Sequence, residues 1–69
     1  TAYNIASAYA AMNRPDEAVQ WLENAADNGF PNYPYFELDQ NLQSLKEHQG
    51  FVRLMVKLKR QWEQFKAEA

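Results

Sequence analysis

Few side chains in this sequence could do chemistry, and their spacing decides what that chemistry would be. The single histidine, His48, is the candidate for proton transfer, with Glu47 beside it. Neighbours in sequence do not face each other on a helix, so Glu47 cannot orient the imidazole from there. Ser7 and Ser44 are nucleophiles by type alone, since neither has a base and an acid at a spacing that builds a relay. The two glycines, Gly29 and Gly50, are too few for a phosphate-cradling loop. With no cysteine there is no disulfide, and one histidine without cysteines gives no zinc set. Glu17, Glu23 and Asp27 fall on a helical surface and read as a solvated face. These residues argue against an active site, a resident cofactor or a metal, and turn attention to binding.

Charge is the next resource. Residues 1–45 hold six carboxylates against one base, Arg14, whereas residues 46–69 hold six bases against three carboxylates. Arg53, Lys57 and Arg60 share one face of the last segment, with Lys59 nearby and Lys66 further on. Such a stripe can track phosphates. It can also dock on or beside the acidic first part of the chain, and this second reading is favoured. The net charge is −2, and Trp62 and Phe65 fall on the register of an apolar stripe rather than among the bases. Nucleic-acid contact through this basic face is the lesser alternative.

The elements that must position these residues are helical. Ile5, Ala8, Tyr9 and Met12 recur at the spacing of one helical face. Asn13-Arg14 interrupts, and Pro15 suits the first turn of a second helix, where its missing N–H costs nothing. Asp16 and Glu17 then meet the positive end of the helix dipole. Ala18, Trp21, Leu22 and Ala25 continue the rhythm until Asn28-Gly29, which predicts a left-handed glycine cap. In "FPNYPYFELDQ", Pro31 and Pro34 bracket Tyr33, Tyr35 and Phe36, predicting an ordered loop folded over the end of a small core. "DQNLQSL" predicts one or two helical turns with Asp39 as N-cap. From about Gln49, Phe51, Leu54, Met55, Leu58, Trp62 and Phe65 form one stripe of a third helix, with Val52 and Val56 as a second apolar edge. That helix is longer than the first two, so its far end is expected to project beyond them. The chain therefore reads as all-α: a helical hairpin over 1–29, a loop and short turn over 30–47, and a long helix over 48–69.

The first part resembles the tetratricopeptide repeat (TPR), whose pattern is W-x2-L-G-x2-Y, then A-x3-F and a proline, in about 34 residues. Ile5 takes the leucine place, Ala6 the small residue and Tyr9 the tyrosine. Ala18 follows Tyr9 at the required distance, Leu22 stands for the phenylalanine, and Ala25 matches the next small position. Ala2 replaces the tryptophan, and Pro31 comes one residue late. "GFPNYPYFELDQNLQSLKEHQGFVRLM" resembles the tail that closes TPR arrays in many bacterial multidomain proteins, with Gln49 where a proline usually starts the last helix and His48 as its N-cap. The resemblance implies a terminal repeat of a longer array, with Ala6, Ala18 and Ala25 letting two helices approach closely and the last helix capping them.

In that family the first helix of a repeat lines a groove for a peptide or helix. Carried over, Tyr3, Asn4, Ser7, Ala10 and Ala11 would face it. No basic residue precedes Arg14, so the family's carboxylate clamp is incomplete, and the groove suits an apolar strip. The implied function is a protein-interaction or scaffolding module with a protein or peptide partner; the alternatives are a purely structural cap and, last, nucleic-acid contact. The opening "TAYNIASAYA" lacks an initiator Met and is already in helical rhythm, which reads as a cut through a larger protein. Neither a leader pattern nor an apolar run of about 20 residues is visible, so a soluble setting without a membrane partner is expected, the cytoplasm favoured. A first helix without its upstream neighbour invites self-association.

Overall fold

Helix ends are set by how the chain satisfies its own backbone. In the computed structural model, which describes residues 1–68, α1 spans Ala2–Ala11. It stops because Asn13 adopts a φ of 60°, letting the Arg14 N–H return to the Tyr9 carbonyl at 2.9 Å. Asparagine tolerates this left-handed geometry better than most residues, so the cap is formed without glycine. The second helix, α2, spans Pro15–Asp27, with Pro15 at its start and Asp16 and Glu17 in its first turn. Gly29 at φ 109° ends it, and the Phe30 N–H bonds the Ala25 carbonyl at 2.9 Å, the glycine cap expected there.

The segment expected as loop and short turn holds more regular structure than that. Tyr33–Leu38 form α3, and Gln40–Leu45 form a 3-10 helix. Pro34 lies in the first turn of α3, where no partner for its nitrogen is needed, and the Asn32 side chain accepts from the Tyr35 N–H at 3.2 Å. Asp39 caps the 3-10 segment, accepting from the Asn41 N–H at 2.9 Å. Finally α4 runs Gln49–Glu68. Ala69, the last residue of the expected third helix, lies outside the described residues.

The described residues are all-α, with no strand among them. The core gathers Phe36, Leu22, Leu42, Leu45 and Leu58 as its largest fully buried side chains. Ala6 and Ala18 are wholly buried and Ala25 nearly so, at the places where α1 and α2 meet. A methyl there lets the helix axes approach, and dispersion contacts replace the missing bulk. The 3-10 segment lies along α1, and α4 rests on α2 and α3.

Two registers differ from expectation. The inward residues of α1 are Ala6 and Ala10, with Tyr3 and Tyr9 half-buried, while Ile5 and Met12 are exposed and Ala8 faces water. The hydropathy pattern selected the outer face because alanines add little to it, although they bear the closest contact. Along α4, Phe51, Leu54 and Leu58 are buried and Met55 and Trp62 partly so, but Phe65 is 65% exposed. The stripe therefore works as core only over its first half, and residues 63–68 are all exposed.

Candidate functional site

The groove set divides once it is placed in three dimensions. Asn4 and Ala11 are exposed and Ser7 is half-buried. Tyr3 is turned into the domain: its ring stacks on Phe36 with centroids 5.3 Å apart and meets Phe30 and Tyr35 edge-on at 5.4 and 5.3 Å. Its hydroxyl donates to the Asp39 carboxylate. Burial, and then this bond to an anion, raise the Tyr3 pKa far above the ordinary tyrosine range. Ala10 is buried, and its carbonyl accepts from Ser44 Oγ at 3.4 Å. The expectation that Ala10 faces an open groove is therefore corrected, since the 3-10 segment packs there; Tyr3 is turned toward α3 but still lines the cleft at the start of α1. What remains open is a strip marked by Asn4, Ser7 and Ala11, and a cleft of about 430 Å³ at the start of α1, where Asn4 meets Ala25, Asn28, Phe30 and Tyr35.

A second open surface lies on the outer side of α1. Ile5 is 37% and Met12 57% exposed, with Ala8 also facing water. The helix has no charged side chain, and its polar Asn4 and Ser7 lie beside this strip rather than in it.

Arg53, Lys57 and Arg60 are all exposed on α4. Arg53 and Lys57 open onto a cleft of about 210 Å³ that Glu23 and Asp27 of α2 line from the opposite side. Opposite charges thus line one cleft between α2 and α4, without an ion pair between them among the described residues. The aromatics of the far stripe, expected on its buried side, are open instead. Trp62 and Phe65 stack at 6.0 Å and line a cleft of about 440 Å³ with Phe30 and Pro31, so this pair is accessible.

His48 acquires a partner that its neighbours in sequence did not suggest. Its Nε2 lies 2.7 Å from Asp16 Oδ1, from the first turn of α2, while its Nδ1 accepts the Gly50 N–H at 3.0 Å. An accepting Nδ1 places the ring proton on Nε2, which donates to Asp16. Both ring nitrogens are thus used in joining α4 to α2. Serving at once as N-cap and cross-link, the histidine holds the fold, and neither Ser7 nor Ser44 is bonded to it. Among the described residues no group of three or more histidines, cysteines or carboxylates is arranged to hold a metal ion. No helix among them is long and apolar enough to cross a membrane.

Sequence reasoning missed the Tyr3–Asp39 and His48–Asp16 bonds, which join residues more than thirty positions apart. The usable signals were a capping Asp39 with a free second oxygen and an Asp16 placed for a helix dipole; neither names its partner. Comparisons with protein-family models, curated proteins and solved structures found no match to this chain.

Proposed function

We propose that the chain is a protein-interaction or scaffolding module, the terminal TPR-like repeat of a longer bacterial helical array, closed on one side by α4 and open on the other along α1. The reading is supported above all by the two-sided apolar character of α1. Its inner edge, Tyr3, Ala6 and Ala10, belongs to the domain, while its outer edge, Ile5, Ala8 and Met12, has no cover. In stacked repeats such an edge is covered by the preceding hairpin, and as a free edge it takes an apolar strip or helix from a protein partner. Asn4, Ser7 and Ala11 border the strip where a peptide would run.

A second reading has its own observation. With Tyr3 and Ala10 used internally, the remaining groove is shallow, and this favours a purely structural cap whose ligand sits on earlier repeats.

Pull-downs with three variants separate the readings, each variant first checked for native helicity. If α1 is the working surface, Ile5→Asp with Met12→Asp, or Ser7→Arg, loses the captured protein while Lys57→Glu with Arg60→Glu keeps it. Loss with the Lys57/Arg60 pair alone would move the contact to the basic face and reopen nucleic-acid binding. Indifference to all three leaves the cap reading.

A further inference from the structure

The cleft between α3, the 3-10 segment and α4 is a second docking surface, and we propose that its occupant is an amphipathic helix of a partner protein with carboxylates flanking its apolar stripe. The cleft has a volume of about 290 Å³, and its floor is Phe36, Leu42 and Phe51 from three different elements. One wall is a ridge of α4 in which Val52 and Val56 stand one turn apart, 45% and 51% exposed, with Met55 half-buried between them. An unbranched thioether beside β-branched walls lets the surface adjust to an inserted side chain.

The charge of the rim selects the partner's charge. Among the described residues that line the cleft are Lys46, Lys59 and one carboxylate, Glu37, which accepts the Tyr33 hydroxyl at 2.5 Å, while Glu63 lies near enough to act on that hydroxyl from outside the lining. The lining itself thus carries two ammonium groups against one engaged carboxylate, so an acidic partner complements it. The backbone selects the conformation. All three walls are helical, so no strand edge is offered to an extended peptide. A helix brings its own backbone satisfied and presents apolar anchors one turn apart. A second copy of this chain fits less well, because its free apolar edge on α1 belongs to a helix without any carboxylate. This surface is distinct from the α1 edge, and the proposal does not depend on that edge binding anything.

The test is selection from a display library of helix-forming peptides against the whole chain, followed by amide chemical-shift mapping of the selected peptides. The expected result is enrichment of apolar residues at i, i+3 or i+4, and i+7 with flanking Asp and Glu, and shifts confined to α3, the 3-10 segment and the first half of α4. Lys46→Glu with Lys59→Glu should weaken binding about tenfold or more, since two surface attractions become repulsions. Lys46→Arg with Lys59→Arg should retain it, and Ile5→Asp with Met12→Asp should leave it unchanged. The proposal is overturned by any of four outcomes: no enrichment, selection of basic sequences, shifts on α1 instead, or self-association that Val56→Asp abolishes, which would make the occupant a second copy.

Discussion

Replacing Gly50 by alanine should lower stability, or at best leave it unchanged, although the same change within a helix normally raises it by about 0.5–1 kcal/mol. A Cβ at Gly50 would lie 3.1 Å from His48 Cε1, 3.2 Å from His48 Nδ1 and 3.2 Å from Val19 Cγ1. Val19 is buried and has little room to retreat, so the imidazole must turn. Turning breaks the Nδ1 cap on the Gly50 N–H and the Nε2 contact with Asp16. Loss of the cap costs about 1 kcal/mol. The pair with Asp16 adds only a few tenths, because that carboxylate is 84% exposed and its attraction is screened. The net change is then a loss of about 0–1 kcal/mol. Removing the ring first lessens the loss: in a His48→Ala background only the Val19 contact opposes the helix gain, so Gly50→Ala should be less costly by about 1 kcal/mol, the coupling of the cycle. Urea denaturation followed by far-UV circular dichroism measures all four corners of this cycle. Equal stabilisation by Gly50→Ala in both backgrounds would refute the reasoning.

Three further outcomes follow from the same geometry. Leu58→Ala should cost about 2–5 kcal/mol, most of the stability a domain this small can have, whereas Phe65→Ala, 65% exposed, should cost under about 0.5 kcal/mol; thermal midpoints of the two variants decide this. Gly29→Ala should destabilise by about 1–2 kcal/mol through its φ of 109° alone, since nothing lies within 4 Å of the added Cβ, and Gly29→Asn should recover part of the loss in the same melts. Because folding raises the Tyr3 pKa, its contribution is complete below the ordinary tyrosine value of about 10 and is lost as pH rises above it; urea midpoints should fall there, and less steeply in Tyr3→Phe.

The hairpin was legible because its signals are local. Pro15, Asn28-Gly29 and the alanines at 6, 18 and 25 each act within a turn or two, and the ends of α1 and α2 lie within a residue or so of where those signals put them. The start of α4 was legible for the same reason. The segment around Pro31 and Pro34 was not, because a proline that biases its predecessor to extended geometry is also suited to the first turn of a helix. Six residues are too few for periodicity to choose between the two. Which face of α1 turns inward was hidden by alanine, whose small side chain contributes little to hydropathy but much to close approach. For the candidate groove, Asn4, Ser7 and Ala11 could be placed from one helix alone. The fate of Tyr3 and Ala10 depended on Asp39, Phe36 and Ser44, which reach them only after the chain has turned back.

The bonds Tyr3–Asp39 and Asp16–His48 also bear on the order in which the chain can fold. Each closes a loop of more than thirty residues, and the second loop starts inside the first. A stack of hairpins can zip from one end, since every contact is with the next element. Here α1 and α2 can meet early, yet the aromatic face of Tyr3 waits for α3, and the start of α4 waits for the start of α2. The loop-closure entropy is spent before these contacts return anything, which opposes zipping from one end. Folding should be a single collective event, with the last turns of α4 beyond Trp62 joining only after it.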